Sequence, residues 1–325
     1  MAISQGQWHP YTDLASEAAG AVQGAARQQL PGVTVQEEQG DGFTVTRVHV
    51  HGPEGEQAIG KAPGRYVTIE APGLRERNLD LQERISQALA REIEALLGLP
   101  ADAPVLVVGL GNARATPDAL GPRVVEKILV SRHLRDVVPA ELRGDLRPVA
   151  ALAPGVLGTT GVETGEVIQG VVERIRPRAV IAVDALAARS VERIGTAVQL
   201  ADTGIRPGSG LQGRRVALDA ESLGVPVIAI GVPTVVHAAT IAYDTFQLLA
   251  TRLKGRNAFF DLYAQFGPEE VRRLIDEVLT PAVGSLVVTP KGVDEMVEDM
   301  ARLIAGALNA ALHKGVTAKE LMRYV

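Results

Sequence analysis

Four short runs of apolar, mostly β-branched residues set the tightest limit on how this chain can fold: 104–110 (PVLVVGL), 148–152 (PVAAL), 179–183 (AVIAV) and 226–230 (PVIAI). Each run is continuous rather than alternating, which is the pattern of a strand covered on both faces. Stretches with helical spacing, 165–175 and 235–249, fall between and after them. Alternation of buried strands with helices implies an α/β fold, with a mainly parallel sheet and helices on both faces.

The N-terminal third has a different grammar. Segments 33–36 and 43–50 resemble two strands around the turn Gly40-Asp41-Gly42, and 65–70 a third, forming a small N-terminal β elaboration. Apolar residues at Leu79, Leu81, Ile85, Leu89, Ile93 and Leu96 predict a helix over 79–97. A helix with proline near its start is expected over 117–129, and two amphipathic helices over 268–279 and 291–312. Residues 14–27 are Ala-rich and helix-compatible, whereas 1–13 are polar and irregular and read as a mobile extension. With no internal repeat or long linker, one domain is the simplest account.

At 325 residues the chain can bury a large core without a disulfide or metal, and it has no cysteine. Disulfides, thiolate metal sites and cysteine nucleophiles are thereby excluded, and the absence fits a reducing cytoplasm. Aromatics make up 3% and the formal charge is −5, both of which argue against a nucleic-acid-binding surface. The start of the chain lacks the layout of a secretory signal. The apolar run 225–236, broken by Pro226 and Pro233, is too short to span a bilayer, so a soluble protein is expected.

In open α/β sheets ligands sit beyond the carboxyl ends of the strands. Asp118 follows the run 104–110, and Asp184 ends the run 179–183. If those strands are neighbours, both carboxylates reach one crevice. Two such groups cannot both ionise easily, so one keeps a proton while the other serves as a base, as amide hydrolysis by water requires. A helix-start acid at Asp118 and a strand-end cap at Asp184 compete with this, and spacing leaves both open.

Other motifs are weaker. Gly109-Leu110-Gly111-Asn112 suggests a dinucleotide turn, but Arg114 stands where a third glycine is needed. Asp202-Thr203-Gly204 spells the triplet of pepsin-like enzymes, yet it sits in an α/β pattern and reads as a polar turn. Ser209 lacks the nucleophile elbow of α/β hydrolases. His49, His51 and His133 read as surface or helix-end residues. His237, after Gly231-Val232-Pro233-Thr234, could approach the two acids, and one histidine with two carboxylates would suit a divalent metal. A helix-start histidine is the bland alternative.

Taken together, 107–122 (VVGLGNARATPDALGP), 153–166 (APGVLGTTGVETGE), 181–193 (IAVDALAARSVER), 202–210 (DTGIRPGSG) and 225–236 (VPVIAIGVPTVV) resemble the germination protease family of spore-forming bacteria. The blocks come in the family's order across nearly the whole chain. The resemblance implies an aspartic-type endopeptidase, with a fold similar to hydrogenase-maturation proteases and no cofactor or metal. It assigns catalysis to Asp118 and Asp184, and leaves Asn112, Asp202 and His237 as cleft candidates only.

It further implies a protein substrate, the small acid-soluble spore proteins, with no direct nucleic-acid or membrane partner. The implied assembly is a homotetramer, made in the forespore and held in the spore core as a zymogen that removes its own propeptide. Thr12-Asp13-Leu14-Ala15-Ser16-Glu17 is similar to the family's cleavage site, so a cut between Asp13 and Leu14 is expected, dividing a propeptide 1–13 from a peptidase domain 14–325. Two departures stand out: Ala113 where the family usually has Trp, and His237 where it commonly has Asp. His237 keeps a metal-dependent peptidase using Asp118, Asp184 and His237 as the alternative. A non-catalytic binding protein on the same fold is the third possibility.

Overall fold

The computed structural model describes residues 12–26, 30–136, 146–205, 217–253, 270–271, 273–275, 277–278 and 286–313. Among them, nine strands join in one sheet: β1 (Val33–Gln39), β2 (Thr44–Val50), β3 (Gly64–Glu70), β4 (Val105–Gly109), β5 (Val149–Leu152), β6 (Ala179–Ala188), β7 (Ala197–Ala201), β8 (Val227–His237) and β9 (Val287–Val288). Their lateral order is β1-β2-β3-β7-β8-β6-β4-β5, with β9 pairing to β8.

The α/β class and the helices on both faces hold, but the mainly parallel sheet needs correction. Only β8, β6, β4 and β5 run parallel to one another. The pairings β1–β2, β2–β3, β3–β7, β7–β8 and β8–β9 are all antiparallel. The sheet is mixed because the N-terminal hairpin does not stand aside as an elaboration; it continues through β3 and β7 into β8. Apolar runs report burial on both faces, and burial alone does not fix strand sense.

The central stretches of the parallel strands are apolar because each face meets helices. Val105, Val107, Ile181 and Val183 turn to one side, where they join buried residues of the helices Leu79–Leu97 and Val293–Leu312. Leu106, Val108, Val180 and Ala182 turn to the other, with Ile168 and Val172 of the helix Thr164–Ile175. The helix Leu79–Leu97 starts where the Asn78 side chain accepts the Leu81 N–H at 3.1 Å, and it ends at left-handed Gly98. Its buried row Leu81, Ile85, Leu89 and Ile93 is worth about 1.5–3 kcal/mol per side chain in burial.

Several expected boundaries move. Strand β6 runs on to Ala188, so Asp184 lies within it rather than at its end. Strand β8 continues through Gly231-Val232-Pro233-Thr234, well beyond the apolar run 226–230. There the register slips between Leu186 and Ala187, leaving Thr234 unpaired, and this bulge accommodates Pro233 within the strand. The helix expected over 117–129 is a 3-10 turn, Thr116–Asp118, followed by a short helix, Leu120–Val125. The helix expected over 235–249 spans Ala238–Leu253. Strand β7 was not anticipated. The segment 268–279 lies partly, and 207–210 wholly, outside the described residues. No helix among the described residues is long and apolar enough to cross a membrane.

Candidate active site

The chain passes from β4 to β5 on one side of β4, then crosses to β6 on the other. This reversal falls at the carboxyl ends of β4 and β6, the place where sheets of this kind bind ligands. Asp118 follows β4 and Asp184 lies on β6, with Gly109 paired to Val183 just before it. Between β4 and Asp118 the backbone doubles back at Gly111, whose φ of +110° no other residue adopts readily. The turn aims the Asn112 N–H at Asp118 Oδ2, 2.8 Å away. The Asn112 side chain instead accepts the N–H of Arg114 at 3.0 Å.

Asp184 is 8% exposed, and its Oδ1 accepts the N–H of Ala185 at 2.9 Å. Burial first, then the Asp118 charge and, least, Asp13 together raise its carboxyl to about 8, against the lowering pull of the Ala185 N–H. The two acids therefore share one electrostatic environment, and Asp184 holds its proton at neutral pH. A carboxylic acid beside a carboxylate can donate one proton and accept another.

Asp13 reaches this site from the N-terminal segment, which is docked at residues 12 and 13 rather than loose. The Asp13 N–H donates to the Ala187 carbonyl at 3.0 Å, and the Ala187 N–H donates to Asp13 Oδ2 at 2.8 Å. Leu14 is fully buried among Leu186, Ala188, Ile194, Ala197 and Val236. Beyond it begins the helix Ala15–Ala26. Glu17 is also buried: its carboxylate accepts the N–H groups of Arg189 at 2.9 Å and Ser190 at 3.1 Å, with the Thr12 hydroxyl and, at 3.7 Å, Arg193 nearby. Lys61 Nζ donates to the Thr12 carbonyl at 2.8 Å. Burial lowers the Lys61 pKa, which the charges of Asp13 and Glu17 oppose.

Two of the remaining cleft candidates are occupied elsewhere. Asp202, just past β7, accepts the backbone N–H and the Nε of Arg65, both at 2.7 Å. His237 ends β8, six residues beyond Gly231, the residue opposite Asp184. At the usual strand rise that is about 20 Å along the strand. Among the described residues no group of three or more His, Cys, Asp or Glu could hold a metal ion, so Asp118, Asp184 and His237 do not form the ligand set considered above.

The sequence did not point to Gln199, Lys61 or the Arg189–Ser190 backbone, all of which touch residues 12–17. Gln199 had a signal: it is the one polar residue in the buried strand Ala197–Ala201 (AVQLA), 7% exposed.

Comparison with known proteins identifies the family. The model of the family described as germination protease matches residues 12–256 and 250–325. A germination protease of Caldanaerobacter subterraneus subsp. tengcongensis is 49% identical, across 95% of this chain and 96% of its own length. One from Bacillus cereus is 43% identical with 93% of each chain covered, and one from Clostridium tetani 41% identical across 97% and 98%. The chain belongs to the germination protease family, a family of peptidases.

Proposed function

We propose that this protein is an endopeptidase that cuts small acid-soluble spore proteins, and that it first cuts its own chain between Asp13 and Leu14. A water molecule held between Asp118 and Asp184 is the nucleophile. The observation that carries this reading is the buried Asp184 carboxyl, raised to about 8 by burial and by the neighbouring charge of Asp118. Such a pair enters the reaction with one proton, and it titrates as a unit.

Asp118, whose Oδ2 accepts the Asn112 N–H, is the base. It takes a proton from the water as the water oxygen bonds to the scissile carbonyl carbon. Asp184 then gives its proton to the departing nitrogen and the C–N bond breaks. The products are a new carboxyl group on one side and a new amino group on the other. The pair is left with its proton on Asp118, and passing it back to Asp184 restores the starting state. The docking of Asp13 beside Ala187, three residues beyond Asp184, supports a cut at Asp13–Leu14.

Asp118→Asn and Asp184→Asn test this. Each folded variant should fail to produce the species that begins at Leu14, read by mass spectrometry, and should fail to cut a spore protein. Full activity in either folded variant removes that acid from the mechanism.

A further inference from the structure

Gln199 lies in the same lateral row of the sheet as Asp184. Gln199 pairs with Gly231 across β7–β8, and Gly231 pairs with Asp184 across β8–β6. Laterally paired residues point to the same face, so the Gln199 and Asp184 side chains rise on one side of the sheet, about 10 Å apart at their Cα atoms. The residue between them is glycine and raises nothing in the gap. Leu186 leans over it so closely that a Cβ on Gly231 would overlap its side chain.

The Asp13–Leu14 unit is held at this row. Gln199 Nε2 donates to the Asp13 carbonyl at 2.9 Å, and Gln199 Oε1 accepts the Ala15 N–H at 2.6 Å. The amide can take only this orientation, because the carbonyl can only accept and the N–H can only donate. Both bonds go to the main chain, so the grip is indifferent to which side chains are held. Side chains are sorted around it: Leu14 by the apolar pocket and Asp13 by the Ala187 N–H.

We infer that Gln199 is the substrate-binding residue that grips the scissile peptide, its Nε2–H donating to the carbonyl under attack and its Oε1 accepting the N–H two residues downstream. The inference rests on the proposed cut at Asp13–Leu14 and extends to protein substrates bound in the same place. As the carbonyl carbon becomes tetrahedral, its oxygen gains negative charge and the Gln199 donor strengthens. Donors so placed are worth about 10²–10³ in rate. Gln199 transfers no proton and forms no covalent bond; the hydrolysis remains the work of the acid pair.

The test compares Gln199→Glu, Gln199→Ala and Ala15→Pro with Asp184→Asn. The readouts are the rate of self-cleavage and the kcat and KM on a peptide containing Thr-Asp-Leu-Ala-Ser-Glu. Gln199→Glu keeps the acceptor and loses the donor, so kcat should fall about 100-fold while KM changes only a few-fold. Gln199→Ala should lose kcat and raise KM as well. Ala15→Pro removes the N–H gripped by Oε1, at a first helical position that tolerates proline, and should slow self-cleavage at least about 10-fold. Wild-type kcat in folded Gln199→Glu, or wild-type self-cleavage in Ala15→Pro, overturns the inference. If Asp184→Asn is inactive while these variants are not, only the grip is wrong. If Asp184→Asn is active, the acid-pair reading is the one that fails.

Discussion

A Cβ on Gly111 would overlap the backbone oxygen of Asp118 and come within 3.1 Å of its Oδ1. The turn that aims the Asn112 N–H at this carboxylate therefore depends on a residue without a side chain at a φ of +110°. Gly111→Ala should displace Asp118, at a cost of about 1–3 kcal/mol in stability. Its effect on the reaction should be larger, about 100-fold in kcat, because the proposed base, moved by an ångström, loses most of its alignment. Cleavage kinetics alongside chemical denaturation separate the two effects.

Asp184 makes stability depend on pH. Its folded-state pKa is raised to about 8 from an ordinary 3.8, with Asp118 and Asp13 as the charges facing it. Between those values the native state holds a proton that the unfolded chain has released. Stability from this group is therefore present at low pH and is lost as pH rises toward 8, at no more than about 1.4 kcal/mol per pH unit. Asparagine cannot ionise, so Asp184→Asn should gain stability relative to wild type at pH 8 compared with pH 5. Denaturation midpoints of both proteins at the two pH values check this.

Glu17 ties the first helix to the loop after β6. Glu17→Ala leaves the Arg189 and Ser190 N–H groups without their carboxylate and should cost about 1.5–3 kcal/mol. Glu17→Gln keeps an acceptor and should lose less. Self-cleavage should slow in the same order, since the segment bearing the proposed cut is then held less firmly.

Asn309 is a contrasting case remote from the acids. It is 1% exposed, and its side chain accepts the Leu129 N–H at 2.9 Å and donates to the Lys127 carbonyl at 3.1 Å. Asn309→Ala should lower stability by about 2 kcal/mol. The kcat of the folded variant should stay at the wild-type value.

The buried strands were legible because short, β-branched runs such as VLVVG, flanked by proline or glycine, suit a strand covered on both faces. The helix Leu79–Leu97 was legible to the residue, having both a periodic apolar row and the stops Asn78 and Gly98. Strand β7 escaped notice because five residues with Gln199 in the middle carry neither a long apolar run nor a clean alternation. The extension of β8 was hidden by Gly231 and Pro233, which ordinarily end strands. Glycine here makes room for the Leu186 side chain between Gln199 and Asp184, and proline is absorbed by a bulge. The acids stood out from their position after apolar runs, but that they meet depends on β4 and β6 being neighbours, which no local pattern encodes. Gln199 acts across the sheet on a segment almost two hundred residues away, so spacing held no trace of the contact.

The docked N-terminal segment has a consequence for reaction order. Residues 12–17 lie against β6 and β7 of their own chain, so as the proposed substrate they would be presented at an effective concentration that no free peptide attains. In the proposed scheme, dilution would slow attack on other proteins in proportion, yet leave the first cut running at a constant half-life.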